Sequence, residues 1–108
     1  MTSNEQVGAT VRALIRRGTE GSLIFGLAGL VDYLDEVPRD FTPVVTADAV
    51  RHLSSTRPTL IRAWEAAEQA GLIARESRAY AGQRKTGHIM FTSEFLADID
   101  RILGEAQS

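Results

Sequence analysis

The chain has 108 residues, of which 44% are hydrophobic and 24% are charged, and it carries a formal net charge of −2. These values are typical of one globular domain with a single core. The chain contains no cysteine, which excludes disulfides, thiolate zinc sites and iron–sulfur clusters. Its first residues are polar, and its longest apolar stretch, Leu23 to Val31, is far shorter than the roughly 20 residues of a membrane span. We therefore expect a cytoplasmic protein that makes no contact with a membrane.

Positive charge is concentrated in one part of the chain. Residues 51–88 contain seven basic and three acidic residues, a net charge of +4, so the rest of the chain carries −6. A protein that binds nucleic acid needs a positive field only on the surface that meets phosphate. The distribution of charge therefore favours a nucleic-acid partner, although the total charge does not.

Two helices are predicted in the first third of the chain. The first covers Asn4 to Arg17, because four apolar residues recur there on one helical face: Val7, Val11, Leu14 and Ile15. The second covers Ser22 to Asp35 and is apolar on nearly every face, so it is either the central helix of the core or part of a subunit interface. Gly26 and Gly29 inside it lack the sequence of a phosphate-binding loop, and they predict close helix packing.

A short helix is predicted after the loop of residues 37–43. Val44 and Val45 are expected to form a short strand, and Thr46 is the expected N-cap of a helix over residues 47–53. Two serines then end this helix, and a second helix follows closely.

The second helix of this pair is longer. Thr56 has the residue type of an N-cap, and Pro58 is tolerated because amides in the first turn have no intrahelical acceptor. Gly71 supplies a C-terminal stop. The predicted helix therefore covers residues 57–70, and Trp64 lies on its apolar face.

The last elements are a hairpin and one more helix. Leu72 to Ser77 and His88 to Phe91 are predicted strands, joined by a basic segment of residues 78–87. The final helix is expected to begin at Thr92 with a hydrophobic staple and to end at Gly104. The expected fold class is therefore α+β, mainly α with a small β-hairpin wing.

The stretch from Val45 to Ile73 resembles the helix-turn-helix of bacterial winged-helix regulators, such as the MarR-like and PadR-like groups of transcriptional regulators. The short helix that ends at Leu53, the sequence TRPT at residues 56–59 and the sequence AGLI at residues 70–73 carry the resemblance. Trp64 and Ala67 stand where such helices usually carry leucine. The resemblance is therefore to the winged helix-turn-helix DNA-binding superfamily and not to one family within it.

The resemblance implies a winged helix-turn-helix with extra N-terminal helices and a C-terminal helix. Residues 1–108 then form a single domain. Residues 1–43 supply N-terminal helices for the core and for dimerisation, residues 44–91 the helix-turn-helix and the wing, and residues 92–108 the C-terminal helix.

The resemblance also implies that the chain binds double-stranded DNA. A recognition helix over residues 57–70 enters the major groove, which admits one α-helix, and a wing over residues 78–87 touches the minor groove or the backbone. The candidate DNA-binding residues are Ser54, Ser55, Thr56, Arg57, Thr59, Arg62, Arg78, Gln83, Arg84 and Lys85.

These residue types suggest different roles. Arg57 and Arg62 suit guanine or phosphate, and Thr59 suits a base edge or a thymine methyl group. The hydroxyl groups of residues 54–56 suit phosphate, which positions the protein without specifying sequence. Because one half-site offers only a few phosphate contacts, we expect a homodimer on a pseudo-palindromic site, acting as a transcriptional repressor.

Other classes of function find less support in the sequence. His52 and His88 have no carboxylate or cysteine at metal-ligand spacing, and no nucleophile motif is present. We therefore expect no metal, no cofactor and no enzyme activity. Two alternatives stay open: a plasmid or phage DNA-partition or accessory protein, and a winged-helix protein-interaction module that binds no DNA. A small-molecule effector is left open as well.

Overall fold

The computed structural model describes residues 1–79 and 85–107, so two of the predicted wing residues, Gln83 and Arg84, lie outside the described residues. The described residues form five helices and three strands: α1 (Ser3–Arg16), α2 (Gly21–Leu34), β1 (Thr42–Pro43), α3 (Thr46–His52), α4 (Arg57–Gln69), β2 (Ile73–Ala79), β3 (Lys85–Phe91) and α5 (Ser93–Gln107). The predicted α+β fold class, mainly α with a β-hairpin, is confirmed. No helix among these residues combines the length and the apolar character needed to cross a bilayer.

The three strands form one antiparallel sheet in the order β1–β3–β2. The hairpin of β2 and β3 is longer than predicted, because β2 continues two residues beyond Ser77 and β3 begins three residues before His88. Ala79 lies opposite Lys85 at the far end of the pairing. The basic segment of residues 78–87 is therefore partly strand, and not only a connection.

Helix α2 is the centre of the core. Residues 26–31 of α2 are all buried. Helix α4 packs so closely on it that a Cβ on Gly26 would lie 2.7 Å from the Cβ of Ala63. Trp64 is 2% exposed beside this contact, and its Nε1 donates a hydrogen bond to the Gly26 carbonyl at 3.2 Å. The indole N–H is thereby satisfied in the core, and α4 has one fixed position on α2.

Helix α3 is also held against α2. A Cβ on Gly29 would lie 2.8 Å from Cδ1 of Leu53, the residue that caps the end of α3. His52 adds a polar contact, with its Nε2 at 2.9 Å from Oδ2 of Asp32 and its ring edge-on to Tyr33. The close helix packing predicted from the two glycines is confirmed.

Helices α1 and α5 are joined by two ion pairs. The Nε of Arg17 lies 2.7 Å from Oδ2 of Asp98, and Nη2 of Arg16 lies 3.2 Å from Oε2 of Glu105. The buried face of α1 consists of Ala9, Thr10, Ala13 and Leu14. Ile15, which the apolar spacing placed on the buried stripe, is 60% exposed, so that prediction was wrong.

The loop of residues 35–41, between α2 and β1, is bonded to other elements. The backbone N–H of Val37 donates to Oε1 of Gln6 in α1 at 2.8 Å. The carbonyl of Pro38 accepts from the backbone N–H of Phe91 in β3 at 2.9 Å. The loop therefore connects the first helix to the sheet.

Two predicted features around β1 were wrong. The strand is formed by Thr42 and Pro43, at the sheet edge where proline is tolerated, and not by the two valines that follow. The N-cap of α3 is Val45, which has extended backbone angles and makes no side-chain cap bond. Thr46 is already helical, so its hydroxyl cannot cap the helix.

The predicted end of the last helix was also wrong. Gly104 lies inside α5, which continues to Gln107. A glycine inside a helix costs only about 0.5–1 kcal/mol relative to alanine. Beyond this glycine, the ion pair between Glu105 and Arg16 stabilises the last turn of α5 and offsets part of that cost.

We expect Gly26→Ala to destabilise the chain by about 1–3 kcal/mol, because the added methyl group overlaps the side chain of Ala63. The matched control is Gly8→Ala in α1, where an added Cβ meets nothing within 4 Å. Alanine has the higher helix propensity, so the control should gain up to about 1 kcal/mol. Urea unfolding followed by circular dichroism measures both values, and equal stability of the two variants would contradict the close α2–α4 packing.

The ion pair between Arg39 and Asp100 joins the loop of residues 35–41 to α5. The Nη2 of Arg39 lies 2.7 Å from Oδ1 of Asp100. The hydrogen bonds from Arg39 lower the pKa of the Asp100 carboxyl. A carboxyl with a lowered folded-state pKa stabilises the chain above its ordinary pKa of about 3.9, and this contribution is lost as the pH falls through the folded-state value.

Asp100→Asn should therefore lower the free energy of unfolding at pH 7 and have no effect in strong acid. Both side chains are 49% exposed, so we expect a loss below about 1 kcal/mol at pH 7. Glu36→Gln is the control, since Glu36 has no ion pair among the described residues. Urea unfolding at a series of pH values measures both variants. If the free energies of unfolding of wild type and Asp100→Asn differ by the same amount down to pH 2, the proposed role of the Asp100 charge is wrong.

Candidate nucleic-acid interface

The start of helix α4 is fixed by Thr56. Its Oγ1 accepts a hydrogen bond from the Thr59 N–H at 3.3 Å and donates one to Thr59 Oγ1 at 2.8 Å. Thr56 has extended backbone angles, and Pro58 occupies the first turn. The predicted N-cap is confirmed, and α4 begins at Arg57.

The turn between α3 and α4 is closed by backbone hydrogen bonds. Ser54 has a φ of +50°, in the left-handed region that residues other than glycine rarely adopt. The N–H groups of Ser54 and Ser55 donate to the carbonyls of Arg51 and Val50 at 3.3 Å and 3.0 Å. A phosphate at this turn would therefore meet serine hydroxyls, because these two amides are already bonded.

The first turn of α4 also has few free amides. Pro58 has no N–H, the N–H of Thr59 donates to the cap, and the N–H of Leu60 donates to the Thr56 carbonyl at 3.2 Å. A helix N-terminus binds phosphate through N–H groups that point at the ligand. Anion binding at this end of α4 consequently depends on side chains, and the cationic side chain at the first position of the helix is that of Arg57.

The side chains of α4 fall on different faces, because successive residues of an α-helix are about 100° apart. The buried face consists of Leu60, Ala63, Trp64 and Ala67. The face opposite to it, which we call the outer face of α4, consists of the exposed residues Pro58, Arg62, Glu65 and Gln69. Of these four residues, sequence reasoning placed only Arg62 among the candidate DNA-binding residues.

A third face of α4 is turned toward the sheet. Arg57, Ile61 and Glu68 line one wall of a cleft of about 440 Å³, and residues of β2 and β3 line the other. Arg75 in β2 crosses this cleft, with Nη2 at 3.1 Å and Nε at 3.3 Å from Oε1 of Glu68. The hairpin is therefore joined to α4 by an ion pair.

The two predicted wing cations that the structure describes lie on opposite faces of the hairpin. Side chains alternate along a strand, and Lys85 pairs with Ala79, which shares its face with Arg75 on the α4 side. Arg78 is on the other face. There it forms an ion pair with Glu76, and its guanidinium carbon lies 4.5 Å from the centre of the Phe41 ring. Arg78 is thus already in contact with two residues of its own chain.

Most cations of the described chain have a carboxylate partner. The exceptions among the arginine and lysine side chains of the described residues are Arg12, Arg57, Arg62 and Lys85. Of these, only Arg12 lies outside α4 and the hairpin. The positive charge that is free to meet a ligand is therefore concentrated on the segment that the sequence marked as basic.

The two histidines have internal roles in the described structure. His88 is buried, and its Nδ1 lies 2.8 Å from the carbonyl oxygen of Thr86. His52 faces Asp32. Sequence reasoning missed this carboxylate because Asp32 lies 20 residues earlier in the chain, and only the packing of α3 on α2 brings the two together.

No protein-family profile and no curated protein matches the sequence. Solved structures do match. A MarR-family transcription regulator has a TM-score of 0.59 with 21% identity over 94% of this chain. A mutant of MepR from S. aureus bound to an oligodeoxyribonucleotide has a TM-score of 0.55 with 17% identity over 97% of this chain. The transcriptional regulator SlyA has a TM-score of 0.53 with 20% identity over 94% of this chain.

At these identities the similarity shows the fold. The chain has the winged helix-turn-helix fold found in these MarR-family regulators, so the fold that the resemblance implied is confirmed. The chain spans 60% of the MarR-family regulator, 72% of MepR and 70% of SlyA.

The cap of α4 can be tested with a matched pair of threonines. Thr56→Ala removes an oxygen that accepts from the Thr59 N–H, so we expect a loss of about 0.5–2 kcal/mol in the free energy of unfolding. Thr46→Ala should have little effect, because α3 has no side-chain cap bond. Thermal and urea unfolding measure both, and an equal loss would show that the cap bond of Thr56 does not contribute to stability.

Proposed function

We propose that the chain binds double-stranded DNA sequence-specifically and acts as a small homodimeric transcriptional repressor in the cytoplasm. The observation that carries this proposal is the position of the free cationic side chains: of the four arginine and lysine side chains without a carboxylate partner among the described residues, three are Arg57, Arg62 and Lys85. The fold supports it, because a MepR structure of similar fold contains an oligodeoxyribonucleotide.

In this proposal the recognition helix of residues 57–70 lies in the major groove. The groove is about 12 Å wide and a helix with its side chains is about 10–12 Å across, so the outer face of α4 can approach base edges. We assign Arg62 to a base, since it lies on the outer face. We assign Arg57 to phosphate, since it lies on the side toward the hairpin, where it lines the cleft.

The wing, residues 78–87, is proposed to touch the neighbouring minor groove or the DNA backbone. Lys85 is exposed and has no carboxylate partner in the described chain, so it is available to a phosphate. Arg78 joins this contact only if it leaves Glu76 and Phe41. The proposed roles of Gln83 and Arg84 concern residues outside the described part of the chain.

Exposed apolar groups on the N-terminal helices support a homodimer. Ile15 in α1 is 60% exposed and Phe25 in α2 is 43% exposed. A second copy would cover apolar surface of this kind, and a two-fold dimer would place two recognition helices on a pseudo-palindromic site.

The DNA target distinguishes a repressor from a partition or accessory protein. A repressor occupies a single operator and thereby excludes polymerase, whereas a partition protein binds an array of repeats. The arrangement of the free cations is the same for both, so recovery of the natural target decides between them.

A protein-interaction module is the alternative from another class, and the net charge of −2 favours it. The two proposals differ in their salt dependence. DNA binding through several phosphates weakens log-linearly as salt rises. Binding of a protein partner that does not contact the free cations should not show this salt dependence.

Arg62→Ala, Arg57→Ala and Arg12→Ala test the proposal as a matched set, because all three arginines lack a carboxylate partner in the described chain. We expect Arg62→Ala to lower specific binding by about 5- to 150-fold, and Arg57→Ala to weaken binding to all DNA and to reduce the salt slope by about 1. Arg12→Ala, in α1, should retain both properties.

The measurement is fluorescence anisotropy at two salt concentrations, on duplexes selected from a genomic library by the purified protein. Circular dichroism checks that each variant is folded. Enrichment of an inverted repeat that Arg62→Ala no longer binds supports the proposal. If no sequence is enriched and wild-type protein binds all DNA weakly, the protein-interaction module becomes the better account.

A further inference from the structure

We propose that Glu65 determines sequence specificity by accepting a hydrogen bond from a cytosine amino group, beside a guanine contact made by Arg62. This inference rests on the proposed DNA-binding function and names a feature of the target: each half-site contains a C·G base pair under the third turn of α4. Sequence reasoning did not place Glu65 among the site residues.

The first observation is that Glu65 has no cation partner. The segment of residues 51–88 contains three acidic residues. Glu68 is paired with Arg75 at 3.1 Å, and Glu76 is paired with Arg78. Glu65 forms no ion pair within the described residues, although Arg62 stands three residues before it.

The second observation is the position of Glu65 on α4 relative to Arg62. Glu65 is exposed on the outer face of α4, about 60° around the helix axis and about 4.5 Å along it from Arg62. Where the helix axis runs along the groove, this rise is comparable to the roughly 3.4 Å between successive bases of one DNA strand. In homeodomains, base-reading residues recur at i, i+3, i+4 and i+7 along the recognition helix. Counted from Pro58, the same spacing arrives at Arg62 and Glu65.

The chemistry then selects the base. A carboxylate that approaches DNA is repelled by the phosphates, and it is tolerated only where it accepts a hydrogen bond. In the major groove, donors are presented by the N4 amino group of cytosine and the N6 amino group of adenine. Adenine carries the acceptor N7 beside its amino group, which suits the amide of Asn or Gln, whereas an acceptor-only carboxylate suits cytosine.

Arg62 completes the contact. An arginine fork matches the O6 and N7 acceptors of guanine, and Arg62 is exposed with no carboxylate partner in residues 1–79 and 85–107. Glu65 and Arg62 lie near each other on the outer face of α4. Their side chains can therefore contact the cytosine and the guanine of one C·G pair, or of two adjacent pairs.

The test is selection of duplexes from a randomised pool by the full chain, wild type and Glu65→Gln in parallel. We expect wild type to select cytosine at one position in each half-site. Glu65→Gln should move the preference at that position toward adenine, by about 10-fold in relative affinity, because glutamine can both donate and accept. Glu94→Gln is the control, an exposed carboxylate in the first turn of α5, and should select the wild-type sequence.

Anisotropy on two duplexes that differ only at this base pair measures the preference directly. Loss of one negative charge can strengthen binding of Glu65→Gln to every duplex, so a uniform gain without a change in base preference overturns the inference. An enriched wild-type sequence that Glu65→Gln selects unchanged overturns it as well, and leaves the proposed function standing. Failure of wild type to enrich any sequence overturns both.

Discussion

The contact between α2 and α4 at Gly26 is the interaction on which the rest of the structure depends. Because Gly26 has no side chain, the two helices approach until Ala63 fills the space where a Cβ would stand. Trp64 then lies buried against α2 with its indole N–H bonded to the Gly26 carbonyl. This packing determines which residues of α4 face the core, and therefore also which residues remain exposed on its outer face.

The distribution of ion pairs explains how a chain of net charge −2 can present a positive surface. Arg16, Arg17 and Arg39 are paired with carboxylates of α5, so the acidic residues of the C-terminal helix are partly neutralised within the chain. The start of α4 and the hairpin retain unpaired cations. Local pairing therefore describes the potential seen by a ligand better than the total charge does.

Much of the fold could be predicted because local signals are strong. Apolar spacing located the helices, Thr56 and Gly71 marked the ends of α4, and the two glycines of α2 indicated close packing. Features set by tertiary contacts could not be predicted. Ile15 belongs to an apolar stripe by spacing but is left uncovered in the single chain, and the partner of Arg78 became visible only when the sheet placed Phe41 beside it. The proposed DNA contacts remain predictions.

The ion pair between Arg75 and Glu68 has a consequence for the thermodynamics of binding. It joins the hairpin to α4 across the cleft, so the two elements proposed to contact DNA are already oriented toward each other in the free protein. The conformational entropy of aligning them is lost during folding and not during association. A hairpin that moved freely would lose this entropy in the complex and would bind more weakly with the same contacts. Preorganisation of this kind would allow a small number of cations to be sufficient for the proposed recognition of DNA.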